Sequence, residues 1–418
     1  MNQVETPDSA DIGVELTAEQ QRAGARFAVL LYLAVAAVLV AIVAASTHLL
    51  SRWSLYAVPP LHFPGSWLLE GWVRFDGGWY RDIVDHGYSY NGPAAQANVA
   101  YFPGYPVAMW PFAQVMDSAL AGILVTFVSG LAAVIGFQRW ARARLDPATT
   151  RMAVALLVLY PFAWYLFGAV YADALYLALA IGAFLLLEGG HPILAGLVGA
   201  LAGATRPVGI AVAIGLALVV LERRGGFRHL RQLRKGDFGV LLAFGGLGGW
   251  SAYQGIRWGN PLIFSDIEGA PGWDQPFGPH TWFKITFLQR LHHLPGWLDD
   301  SFNGTNIRST HPWSESVYSM SVLVQGLLVL GGILLVWVIW RRIGWGYAGY
   351  VIVILALAGV GTKDFLGAGR YLIGAFPLFA AFALVLADRP RTRIAVLVAS
   401  SACLAMLASA YARGYYLA

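Results

Sequence analysis

Residues 27–50 form a run dominated by apolar side chains, long enough to cross about 30 Å of hydrocarbon. Ten further runs follow, at 119–138, 152–168, 174–187, 193–204, 208–221, 238–256, 317–340, 345–361, 371–387 and 394–411. In hydrocarbon, backbone N–H and C=O groups must be satisfied within the protein, so such a chain is confined to helices or a closed barrel. Runs of this length specify helices. The chain therefore reads as an all-α polytopic integral membrane protein with about eleven transmembrane helices. Composition agrees: charged residues make up 12% of the 418, against about 25% in soluble domains, and the mean hydropathy is +0.59. An ordinary soluble enzyme, a disordered protein and a nucleic-acid-binding module are excluded. The pI of about 9.3 reflects basic residues set between apolar runs, not gathered in one patch. The single cysteine, Cys403, excludes an internal disulfide and a thiolate metal site.

Charge between the runs sets the expected orientation. With the N-terminus inside, 17 of the 28 basic residues fall in inside segments, as the positive-inside rule requires. The arrangement predicted is a polar cytoplasmic tail over 1–26, a single transmembrane domain over 27–412 and an outer C-terminal tail over 413–418. Residues 1–25 are polar and acidic, and the first run is longer than a signal-peptide core, so it is read as a retained helix. The short runs on either side of Thr205-Arg206-Pro207 are read as a hairpin of short helices. Two long outer loops, at 51–118 and 257–316, are rich in Trp, Pro and Gly. Within the second, Phe283, Phe287, Leu291 and Leu294 share a helical face, with Pro295-Gly296 expected to stop the helix, an interfacial amphipathic pattern.

Candidate chemistry concentrates on the outer side. In residues 74–88, Trp79, Tyr80, Ile83 and Val84 take one helical face, and Arg81, Asp82, Asp85 and His86 another. Asp76 is placed either to cap this short helix or to act chemically, and Gly87 to end it. YFPGYP at 101–106 brings Tyr105 to the membrane boundary, where proline turns and aromatic belts are common. Asp173 follows YPFAWY (160–165) in a very short turn, as a helix cap or as a polar group facing inward. Arg206 and Arg370 lie within or beside apolar runs and need anionic partners: Asp76, Asp173, a carbonyl, or a lipid phosphate. The acids Asp266, Glu268, Asp299 and Asp300 read as solvated loop residues, and His292-His293 as polar-face residues. Gly245-Gly246 and Gly248-Gly249 suit close helix packing.

FDGGWY (75–80) followed by Asp85-His86-Gly87-Tyr88, then YFPGYP, then YPFAWY with YAD (171–173), resembles the bacterial branch of the second GPI mannosyltransferase (PIG-V-like) family of GT-C glycosyltransferases. Arg206-Pro207-x-Gly209, Gly259-Asn260-Pro261-Leu262 and Arg370-Tyr371-Leu372 resemble later blocks. The resemblance implies a GT-C-like bundle whose two long outer loops carry interfacial helices. It also implies an inverting transfer of a sugar, mannose first, from a polyprenyl-phosphate donor to a lipid-linked or envelope acceptor. The implied site faces the outside of the plasma membrane, with Asp76 and Asp173 as catalytic acids. Arg370, Arg206, Trp79, Tyr80 and Tyr105 are expected at the substrate. The expected partners are membrane lipid, the lipid-linked donor and a glycan or glycolipid acceptor, with no nucleic acid, metal or further cofactor. The alternative class is a flippase or transporter of lipid-linked sugars, which should show inverted repeats and a site at mid-membrane depth; no repeat is visible in the sequence.

Overall fold

A computed structural model describes residues 18–50, 66–275, 278–303 and 314–416; most of the polar N-terminal tail and the start of the first long loop lie outside them. Every regular element among the described residues is an α- or 3-10 helix. Four helices are long and apolar enough to cross a membrane: Arg22–Leu49, Ser118–Arg142, Glu315–Arg342 and Pro390–Ala412. A fifth span is available if Ala368–Gly374 and Pro377–Leu386, bent by 89° at Pro377, count as one. The other runs are realised as shorter helices, including Pro147–Val158, Pro192–Gly203, Ile210–Arg223 and Trp345–Val360. The run at 238–256 is split between a 3-10 helix, Lys235–Phe244, and an α-helix, Gly245–Trp258.

The spans are apolar on their outward faces. In the most apolar window of Pro390–Ala412 only 17% of residues are buried, and in that of Glu315–Arg342 28%. Leu334, Trp337, Ile394 and Val398 are open on these helices. Water would penalise such surface at about 25 cal/mol per Å², whereas lipid does not. This is a membrane protein.

Local chemistry starts the helices. The Asp117 carboxylate accepts the Ala119 N–H at 2.8 Å and so caps Ser118–Arg142. Asp146 accepts from Ala148 and Thr149, with Pro147 as the first helical residue of Pro147–Val158. That helix ends at Val158, and residues 160–171 run back through the bundle as irregular and 3-10 backbone, with Trp164 and Tyr165 essentially inaccessible. Such backbone is tolerated at membrane depth only where protein satisfies it. Tyr32 donates to Leu166 O at 2.8 Å, Thr126 donates to Ala169 O at 2.9 Å, and the Val170 N–H reaches Trp72 O at 3.3 Å. Of the four glycines expected to pack closely, Gly246 does so, since a Cβ there would lie 2.0 Å from Ala200 O, whereas Gly248 and Gly249 face open space.

Two ends of the bundle differ in kind. At one, Arg144 pairs with Glu188, Tyr347 donates to Glu188, and Glu222 accepts the Trp345 and Gly346 N–H groups. These residues come from the connections expected inside. At the other end, Arg413 donates to Thr47 O at 2.6 Å and Arg74 donates to Ala412 O at 3.1 Å, and here the two long loops meet. The second loop corrects one expectation. Its helix runs Ile285–Asn303 straight through Pro295. The proline removes one N–H and crowds the preceding turn, but it does not end the helix, whose later residue Ser301 is anchored by a hydroxyl contact with Ser316 at 2.8 Å.

Candidate active site at the loop end

The first acid is set by a fixed turn. Arg74 is buried, paired with Glu70 at 2.7 Å and bonded to Val73 O and Ala412 O. Phe75 then takes φ +51°, a conformation that is costly for a bulky side chain and that gathers at functional sites. Its ring packs against Tyr411 and Tyr416, with centroids 6.1 and 5.0 Å away. Asp76 follows as the first residue of helix Asp76–His86; the cap position is Phe75, and no side chain caps the helix. The capping account of Asp76 therefore does not hold. Gly87 does end the helix, at φ +82°.

The Asp76 carboxylate turns inward instead. Oδ2 accepts from Arg370 Nη1 at 2.8 Å, and Oδ1 accepts from the Tyr101 hydroxyl at 3.2 Å. The Asp76 N–H donates to the Tyr171 hydroxyl at 3.3 Å. Burial, reinforced by the charges of Asp76 and Glu268, holds the Tyr101 phenol well above its usual range, so it remains a donor.

Asp173 shows the same pattern. It is the first residue of Asp173–Glu188, caps nothing, and is paired with Arg206 in a buried contact. Arg370 bridges the two pairs: its Nε lies 4.0 Å from Asp173 Oδ1, and its guanidinium sits 5.1 Å from the Tyr171 ring and 5.7 Å from the Tyr165 ring. Arg206 lies 5.0 Å from the ring of Tyr371. The side chains of Asp76 and Arg370 keep 16% and 13% exposure, against 3% and 8% for Asp173 and Arg206. The outer pair can be reached and the inner pair cannot. The Nε of Arg370 is buried without a hydrogen-bond partner, so this guanidinium has donor capacity to spare.

Of the aromatic candidates, Trp79 is half-buried and joins a ring cluster beside Asp76, with Tyr101 and Trp273 at centroid distances of 6.0 and 5.9 Å. Tyr80 and Tyr105 stand behind the site. Both are buried and packed edge to face, and the Tyr105 hydroxyl donates to Gly122 O at 2.8 Å.

Sequence reasoning set aside Glu268 with its neighbour Asp266. Asp266 is indeed a surface acid, accepting from Asn260 at 2.7 Å. Glu268 lies next to Ile267 and Ala270, which are buried against Val99 and Ala100 just ahead of Tyr101. Its own side chain is exposed to water, as expected of a loop acid. Among the described residues no three His, Cys, Asp or Glu side chains converge as metal ligands would.

No family model matches the chain, and no curated protein matches it. Among solved structures it is similar to the oligosaccharyltransferase of Archaeoglobus fulgidus in complex with Zn and sulfate (TM-score 0.43, 12% identity, 91% of this chain and 53% of that one). It is similar to the apo form of that enzyme (TM-score 0.42, 12% identity, 93% and 56%). It is also similar to archaeal oligosaccharyltransferase AglB from the same organism, with an inhibitory peptide and a dolichol-phosphate (TM-score 0.41, 12% identity, 91% and 56%). The chain spans about half the length of these proteins.

Proposed function

We propose that this protein is an inverting GT-C-type glycosyltransferase that moves a sugar, mannose first, from a polyprenyl-phosphate donor to a lipid-linked or envelope acceptor at the outer face of the plasma membrane. The observation that supports this most is the accessible Asp76–Arg370 pair backed by the enclosed Asp173–Arg206 pair. A carboxylate held by arginine is a weak base, because the cation stabilises its charged form. A donor phosphate changes that. It offers Arg370 a doubly charged, bidentate partner, and as Arg370 turns to it, Asp76 is released.

Asp76 then takes the proton of the acceptor hydroxyl while the hydroxyl oxygen bonds to the anomeric carbon. The bond from that carbon to the phosphate oxygen breaks, its electron pair stays on the phosphate, and polyprenyl phosphate leaves. Attack opposite the leaving group inverts the configuration. Arg370 neutralises the charge gathering on the phosphate. Asp173 and Arg206 hold Arg370 from behind, Tyr80 and Tyr105 shape the wall under the sugar, and Trp79 offers a ring face to it. The lipid tails of both substrates lie in the bilayer, and no nucleotide or further cofactor takes part. A flippase would carry its charged site near mid-depth; here the network stands at the loop end.

Arg370→Ala tests the phosphate role. A lost charge-assisted hydrogen bond is worth roughly 1.5–3 kcal/mol, so the donor KM should rise by about 10- to 100-fold while the protein still accumulates in the membrane. An unchanged donor KM, or a protein that fails to fold, would remove Arg370 from donor binding.

A further inference from the structure

The segment that delivers Arg370, residues 361–369, is held by the second long loop, through Gln275 and Lys284, and by the helix that follows it, through Tyr318 and Gln325. The Gln275 side chain accepts the Lys363 N–H at 2.7 Å. The Tyr318 hydroxyl donates to Asp364 Oδ2 at 2.8 Å, and Gln325 accepts the Gly369 N–H at 3.0 Å. At the centre stands Lys284. Its ammonium donates to Thr362 O and lies 4.8 Å from the Phe365 ring, whose edge meets Phe287 at 5.0 Å. Both members of this contact are strained: Lys284 has φ +53° and Phe365 φ +68°. Two side-chain-bearing residues in left-handed conformations, touching each other from two connecting segments, mark a contact that the surrounding structure maintains at a cost. Lys284 is also buried, at 8% exposure. Burial lowers its amine to about 8, with Asp364 opposing. A partly desolvated cation over a ring face is strong for its kind.

We propose that Lys284 is a positioning residue: it latches the second long loop to the segment carrying Arg370, so that the loop sets how well Arg370 meets a lipid phosphate. The proposal deepens the function proposed above and rests on its assignment of Arg370. Nothing in the Asp76–Asp173 network requires Lys284. Its effect reaches the site only through the Thr362–Gly369 backbone.

The test uses the full-length protein in lipid nanodiscs and reads two quantities, neither of them sugar transfer. The first is amide hydrogen exchange over residues 361–372, and the second is affinity for polyprenyl phosphate itself. Lys284→Met keeps the stem and removes the charge; Phe365→Leu keeps bulk and removes the ring, and serves if the first variant accumulates poorly. In either variant, exchange in this segment should quicken by about 10-fold and polyprenyl phosphate should bind about 10-fold more weakly. Exchange within Ser118–Arg142 should stay as in the wild type. Unchanged exchange in 361–372 would overturn the latch. Faster exchange with unchanged phosphate affinity would overturn its coupling to Arg370. Because transfer is not read, a wild-type protein that binds polyprenyl phosphate but moves no sugar would sink the proposed function and leave this inference standing.

Discussion

Asp76→Asn is expected to accumulate in the membrane and to transfer sugar at least about 10²-fold more slowly than the wild type, the usual cost of losing a general base. The substitution separates charge from shape. Asparagine keeps an oxygen that can accept from the Tyr101 hydroxyl, now 3.2 Å from Oδ1, but it cannot take a proton from the acceptor. A merely structural Asp76 would lose little. Its helix is not capped by this side chain, and the pair with Arg370 is partly open to water, so screening softens the loss of its charge. Arg370 also keeps Asp173 within 4.0 Å of its Nε. Normal transfer by Asp76→Asn would move the base role elsewhere, with Asp173 as the remaining acid of the network.

The inner pair should behave in the opposite way. Arg206→Met is expected to destabilise the protein by about 3 kcal/mol, the lower end for a broken buried pair, because the enclosed Asp173 carboxylate keeps only the more distant Arg370, 4.0 Å away. The Asp173 and Arg206 side chains are only 3% and 8% exposed, so water cannot compensate. The double variant Asp173→Leu/Arg206→Met removes both charges and should recover most of the loss. Thermal unfolding in one detergent across the wild type and the three variants measures the coupling. Single variants as stable as the wild type would mean that the pair is not buried in the working protein. The two pairs are therefore expected to differ: loss of the outer one should lower activity, and loss of the inner one should lower stability.

Much of this was legible in the sequence, for identifiable reasons. Asp76, Asp173, Arg206 and Arg370 stand out because a charge beside an apolar run must be explained, and the structure gathers all four although Asp76 and Arg370 are 294 residues apart. Which acid meets which arginine was not legible, since pairing across such a separation leaves no local pattern. Lys284 was missed because a charged residue in a long loop reads as solvated, and only tertiary packing encloses it. The run at 152–168 was read as one span, but its aromatic half folds as irregular backbone satisfied by Tyr32 and Thr126, partners that no hydropathy window contains. Tyr105 belongs to the same motif as Tyr101. The motif marked the right stretch, and packing then decided which of its two phenols would reach Asp76.

The proposed function puts the breaking of a sugar–phosphate bond at the Asp76–Arg370 pair. The most direct test supplies polyprenyl phosphate carrying labelled mannose to membranes with and without the protein and identifies the labelled products. Label should move to a new acceptor through an inverted glycosidic bond, with free polyprenyl phosphate released in equal amount and no nucleotide sugar needed. Label that crosses the membrane still attached to its lipid phosphate would contradict the account and identify a transporter instead.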